Sequence, residues 1–220
     1  MLLAEPPTAA DPEAAAEPAT KPRRPRGRPL SFDRDAALES AMHVFWEHGY
    51  EAASIADLTS AMGITPPSLY TAFGDKEQLF LEAIERYAMG YGSISSRALR
   101  EEPTARAAIE RWLTESANEH TEPCHPKGCM VVMSATNCSA AAERVQNALI
   151  KRRAEAIADL GRRIQGAVDS GELPPDTDAT DLANFFAAVY QGMSMQAKDG
   201  VSRESLLSTV RTAMRSWPAR

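Results

Sequence analysis

SIADLTSAMGITPPSLYTAFGDKEQLF, residues 54–80, is the stretch on which the reading of this chain turns. It divides into short helical pieces, each opened by a capping residue, the first two closed by a glycine. Ser54 followed three residues later by Asp57 forms a capping box, in which each side chain satisfies a backbone donor that the helix start leaves unpaired. Ile55, Leu58 and Ala61 then point inward, and Gly63 ends the piece. Thr65 caps the next one, with Pro66 at its first position, where no amide donor is needed. Leu69 and Phe73 are four apart and share a face. Gly74 closes this element, and Asp75 caps a further helix that runs through Leu79, Phe80 and Ile84 towards Tyr87. Two short helices around the turn AMGIT meet the demand of DNA reading: one helix braces while the other enters the major groove N-terminus first. Ile64 is placed to plug the angle between them.

Upstream, a helix starting near Asp33 carries Ala37, Leu38, Ala41, Val44 and Phe45 at roughly helical spacing. Asp33 and Asp35 suit its positive end, and Gly49 stops it. The exposed start of the second short helix offers Thr65, Ser68 and Thr71, with Tyr70 alongside. Hydroxyls bond phosphates or base edges, and threonine methyl groups contact thymine. Lys76 and the backbone amides at the start of the following helix can meet phosphates. Few of these side chains make a bidentate base contact, so recognition needs groove shape and a second element.

That second element precedes the first helix. Residues 1–20 are rich in Ala, Pro, Glu and Thr, lack apolar periodicity and read as a disordered tail. The charge then changes sign: KPRRPRGRP, residues 21–29, holds five basic residues and no acid, within a basic arm over 21–32. Gly27 lets the backbone lie deep in a narrow groove, and Arg26 and Arg28 reach along its floor into the negative potential of A·T-rich DNA. This core resembles an AT-hook. Phosphate contact alone and a merely solubilising tail are the competing readings.

Residues 41–65, AMHVFWEHGYEAASIADLTSAMGIT, and residues 68–80, SLYTAFGDKEQLF, resemble the N-terminal domain of the TetR/AcrR family of transcriptional regulators. The resemblance covers residues 33–80. It implies an all-α protein, with a helix-turn-helix DNA-binding domain over 33–90 and a larger effector-binding and dimerisation domain over 91–217. It also implies a homodimer on a palindromic operator in double-stranded DNA, released by a small molecule. On that pattern Ser54, Thr65, Pro66, Ser68, Tyr70 and Thr71 lie on or near DNA and Lys76 on its backbone. Phe45, Ile55, Leu58, Leu69 and Phe73 are core. Pro67 stands where many members carry a small or polar residue. Activation instead of repression uses the same DNA-binding surface and is the alternative outcome.

Composition agrees. The chain has 220 residues, 44% hydrophobic but only 6% aromatic, which suits tightly packed helices. Its formal net charge of −6 argues against non-specific nucleic-acid binding by the whole surface and leaves room for a local basic patch. No run of apolar residues is long enough to span a bilayer, no secretory leader is visible, and the three cysteines form no disulfide framework. The cytoplasm is the expected compartment, and no cofactor is expected.

Beyond residue 92 longer helical segments are expected at 104–118, 139–169, 178–196 and 202–216, with a break at DSGELPP, residues 169–175. Leu182, Phe185, Phe186, Val189 and Met193 form one apolar stripe, and Leu206, Leu207, Val210 and Met214 another, with Trp217 beyond. Each is either a dimer interface or internal core, and the resemblance favours pairing between subunits. Trp112, Met130, Met133, Phe186 and Tyr190 are the candidates for an effector pocket walled by Met and aromatic groups. His120, Cys124, His125, Cys129 and Cys138 fall within nineteen residues, in the less regular segment 119–138. Their spacing is looser than that of common zinc sites. Buried packing at the start of a helix is the leading reading; thiol sensing and metal sensing are the others. No GxSxG, HExxH, phosphate-binding loop or dinucleotide fingerprint is present, and His43 and His48 have no evident nucleophile to activate, so nothing supports an enzyme.

Overall fold

The structure is a computed structural model that describes residues 32–134 and 138–219. The described residues form helices and turns without strands. The helices are α1 (Arg34–Ala52), α2 (Ile55–Met62), α3 (Pro66–Phe73), α4 (Lys76–Met89), α5 (Ile94–Glu101), α6 (Ala105–Glu119), α7 (Met130–Met133), α8 (Glu143–Asp169), α9 (Ala179–Lys198) and α10 (Arg203–Met214).

The starts follow the capping code. Asp33 accepts from the amides of Asp35 and Ala36 at the head of α1, and the Ser54–Asp57 box, Thr65 and Asp75 open α2, α3 and α4. The path of α1 breaks at Gly49, whose φ of 77° and ψ of 172° belong to no helix, and Tyr50–Ala52 form a last separate turn. Gly63 adopts the left-handed conformation (φ 65°, ψ 30°) that lets α2 reverse into α3.

Two cores hold the chain together. The first is built by α1–α4 around Phe45, Leu58, Leu69, Leu79 and Phe80, all fully buried, with Phe45 and Phe80 edge to face at 5.0 Å. It is completed by Cys129, Met130, Val145 and Leu149 from much later in the chain, so the DNA-reading unit does not close its core by itself. The second core joins α6, α8, α9 and α10 through Trp112, Leu113, Ile164, Phe186, Leu206 and Trp217.

The structure changes several expectations. Ala61 is exposed and Met62 takes the inward place: Leu58, Thr59 and Met62 are the buried residues of the two-turn α2, with Ile55 partly buried against the same core. Val44 is half-buried, and Trp46 fills the core beside Phe45. Of the expected interface residues, Met193, Leu206, Val210 and Met214 are at most 4% exposed in the single chain. They pack α9 and α10 into the second core of the same chain. Phe185 does stand out of α9, 41% exposed, with Leu182 and Val189 partly buried near it. The helix unforeseen from the sequence is α5; the four-residue α7 lies inside the irregular cysteine segment, where Cys129 stands at the expected buried start of a helix.

Candidate nucleic-acid interface and effector cavity

The reading helix is pre-shaped by its own hydroxyls. Thr65 Oγ1 accepts from the Ser68 amide at 3.4 Å and lies 3.0 Å from Ser68 Oγ. Thr71 Oγ1 donates to the Pro67 carbonyl at 2.8 Å. That bond uses the hydroxyl proton and leaves Thr71 Oγ1 as an acceptor, with its methyl group beside it. Tyr70 is 51% exposed and is the one large side chain projecting from α3. Ser54 is spent in its box: its amide donates to Asp57 Oδ2 at 3.0 Å, its hydroxyl donates to the same oxygen at 2.6 Å, and Oγ accepts from the Asp57 amide at 3.1 Å. Those bonds hold the Asp57 carboxyl below its usual range. Lys76 folds back over the Tyr50 ring at 4.5 Å and donates to the Glu51 carbonyl at 3.4 Å; burial pulls its pKa down. At the head of α4, Asp75 caps the amide of Gln78 at 2.8 Å. The amides of Lys76 and Glu77 are then the ones that remain for a phosphate. Arg26, Gly27 and Arg28 lie outside the described residues.

Behind this face, a cavity of about 330 Å³ lies among α4, α5, α6, α8 and α9. Trp112 and Tyr190, both expected there, line it with their rings 4.9 Å apart. Met130 and Phe186 do not; they are fully buried in the two cores. Met133, half-buried, is not on the wall either. The wall also contains Tyr87, Cys129, Val131, Val132, Leu160 and Ala187, which sequence reasoning did not place there. Helical periodicity turns Tyr87 inward, yet no periodicity tells a filled interior from a hollow one. Burial raises the Tyr87 and Tyr190 phenols well above their ordinary pKa, and the Cys129 thiol is a neighbour of both. Both phenols are therefore neutral hydrogen-bonding groups. His120 packs against Tyr190 at 5.2 Å, and burial, helped by His125, lowers its pKa to about 4.

The cysteines do not converge. Cys124 is exposed, Cys129 buried and Cys138 half-buried, all as free thiols. Among the described residues no three His, Cys, Asp or Glu side chains gather as metal ligands would. What segment 119–138 does is join the two halves. Trp46 Nε1 donates to the Gly128 carbonyl at 2.9 Å, and its ring stacks on His125 at 4.6 Å. The Tyr50 amide donates to the Ser134 carbonyl at 2.9 Å. Thus α7 and its approach place Val131 and Val132 on the cavity wall and Cys129 and Met130 in the core of the DNA-reading unit.

A capped helix-turn-helix on a larger helical body defines the class: a DNA-binding regulator. The profile of the bacterial regulatory proteins of the tetR family matches residues 37–83, and that of the tetracyclin repressor-like C-terminal domain matches 103–217. The chain belongs to the TetR family of transcriptional regulators. It is 38% identical over 197 residues to the HTH-type transcriptional repressor ComR of Escherichia coli K12, covering 89% of this chain and 94% of that one. With the repressor BdcR of the same organism it shares 28% over 194 residues, 88% and 93% of the two chains. A solved structure of a cysteine-substituted form of the regulator CifR with 26-base-pair double-strand operator DNA superposes with a TM-score of 0.84 at 45% identity. That match covers 87% of this chain and all of the other.

Proposed function

We propose that this protein represses transcription as a homodimer bound to a two-fold operator, and that a small molecule entering the cavity releases it. The observation that carries the reading is the outward face of α3. Its capped start presents Thr65, Ser68, Tyr70 and Thr71 on a helix braced by α2, in a chain 38% identical to a named repressor. Pro66 starts the helix without a wasted donor, Ser54 acts by shaping α2, and Lys76 reaches a phosphate by leaving Tyr50. Arg26, Gly27 and Arg28 extend recognition into an adjacent minor groove. Two-fold DNA requires two reading heads, and the outer edge of α9 around Leu182, Phe185 and Val189 is the surface offered for pairing. Residues 33–90 read DNA and 91–217 sense and dimerise, although the two share a core.

The cavity supports effector release because its wall is also the head's foundation. A ligand seated against Trp112 and Tyr190 presses on Val131 and Val132, and α7 carries Met130 into the core beneath α1 and α4. The ligand acts only through a difference in affinity between two arrangements. At about 330 Å³ the space is at the small end of ligand sites. A second reading, favoured by Cys129 on the cavity wall, is that a ligand reacts with this thiol instead of only occupying the space.

The test is selection of genomic fragments by the purified protein, followed by titration of the best duplex with candidate small molecules. Tight, salt-sensitive binding to one fragment, weakened by a compound that loses its effect when Trp112 is replaced, supports the proposal. Binding no stronger than to bulk DNA would sink it.

A further inference from the structure

We propose that Arg34 is the positioning residue that sets the roll and tilt of the reading helix. With eight residues, α3 is too short to hold its own orientation. Leu69 and Phe73 anchor it by apolar contact, which is strong but non-directional. A directional hold has to come from elsewhere. Arg34, the first residue of α1, donates from Nε at 3.3 Å and from Nη2 at 3.2 Å to the carbonyl of Ala72. That carbonyl belongs to the last turn of α3, where no intrahelical donor remains. The same Nη2 donates to Glu82 Oε2 on α4 at 2.7 Å, and the guanidinium carbon lies 4.3 Å from the centre of the Phe73 ring. One side chain thus ties α1, α3 and α4 together at the end of α3 opposite the Thr65 cap. Among the described residues, no other side chain outside α3 and its cap hydrogen-bonds to α3. A planar fork is required to meet the carbonyl and the carboxylate while stacking on a ring, and lysine lacks it.

Arg34 is 37% exposed, so direct phosphate contact is the rival role. The two roles differ in salt dependence. Losing a phosphate contact weakens binding to every duplex and flattens the salt slope by about one. Losing alignment of α3 weakens only the specific complex. The experiment uses the full-length protein with Arg34→Gln, Arg34→Lys and Glu82→Gln. Affinity is measured from 50 to 200 mM salt for a duplex selected from random sequence by the wild-type protein, and for an unrelated duplex of the same length. The expected result for Arg34→Gln is a loss of about tenfold on the selected duplex, the size of one lost base contact. Affinity for the unrelated duplex stays within about twofold, and the salt slope on the selected duplex is unchanged. Lysine does not rescue, and Glu82→Gln shows a smaller loss of the same kind. Equal weakening on both duplexes with a flatter slope overturns the proposal in favour of phosphate contact. Wild-type affinity for the selected duplex also overturns it. If Arg34→Gln fails to fold, Glu82→Gln decides: a folded variant with an unchanged ratio between the two duplexes refutes the role.

Discussion

His120 is held neutral inside the protein, and the consequence is measurable. Its ring is 2% exposed against Tyr190, and burial brings its pKa from 6.5 down to about 4. Between those values the unfolded chain binds a proton that the folded chain refuses, so stability falls as pH drops through that window. The loss from this residue is about 2 kcal/mol between pH 7.5 and pH 5. Urea unfolding at fixed protein concentration should show it in the wild type, and His120→Gln should lack that part of the pH dependence. An identical slope in both proteins would mean that His120 is not the group. At this scale the sequence is a good guide to local chemistry and a poor one to space. Ser54, Thr65 and Asp75 were readable as caps because a cap acts within three residues of itself. Trp112 and Tyr190, chosen by residue type, line the cavity, but Phe186 and Met130, of equally suitable type, fill solid core. Apolar character says that a side chain turns inward, not whether the inside is hollow.

The same limit appears at the scale of elements. Helices with a cap, a stripe and a glycine stop were legible to within a few residues, including all four of the DNA-reading unit. The helix α7 was legible only as a buried helix start, because four residues cannot display a period and its approach is held by partners 65 and 82 residues away. Two glycines separate these cases. Gly63 has φ of 65° and open space where a side chain would begin, so Gly63→Ala meets only the backbone cost of about 1 kcal/mol. Gly128 has φ of 77°, and a Cβ there would stand 2.7 Å from the Ser194 carbonyl oxygen, part of the α9 backbone. Neighbouring bonds hold that contact closed, since Ser194 Oγ accepts from the Cys129 amide at 2.8 Å and Trp46 holds the Gly128 carbonyl. Gly128→Ala should therefore lose at least twice as much stability as Gly63→Ala, about 2 kcal/mol or more. Denaturant midpoints of the two variants compare them directly. Equal losses would show that α9 yields freely and that α7 is not rigidly seated.

At the scale of the whole molecule, a chain of net charge −6 that binds DNA must keep its acidic surface away from the duplex. That favours two reading heads held apart by a dimer interface on the far part of the body. The stripes of α9 and α10 could not be assigned from sequence, since a core stripe and an interface stripe have the same period. Exposure separates them: Phe185 and Met195 on α9 and Ile150 on α8 are the large apolar groups left outside in this part. Phe185→Glu should convert the proposed dimer to a folded monomer in light scattering and reduce operator affinity steeply; an intact dimer would move the interface elsewhere. The coupling of cavity to head can be tested without knowing the effector, by filling the space with the protein's own atoms. Ser95 on α5 lines the cavity, is half-buried, and its side chain has no hydrogen bond to lose among the described residues. Ser95→Phe places a ring in the cavity that Val131 and Val132 also line. If occupancy drives α7 against the core of the head, this variant should hold or raise its melting temperature while binding the operator severalfold more weakly. A coupling free energy of 1–3 kcal/mol, the usual allosteric range, corresponds to about 5- to 150-fold. Ser95→Ala, which leaves the space empty, should bind as the wild type does. Unchanged operator affinity in a stable Ser95→Phe protein would uncouple the cavity from DNA release and leave the reading of α3 untouched, because that reading rests on the head alone.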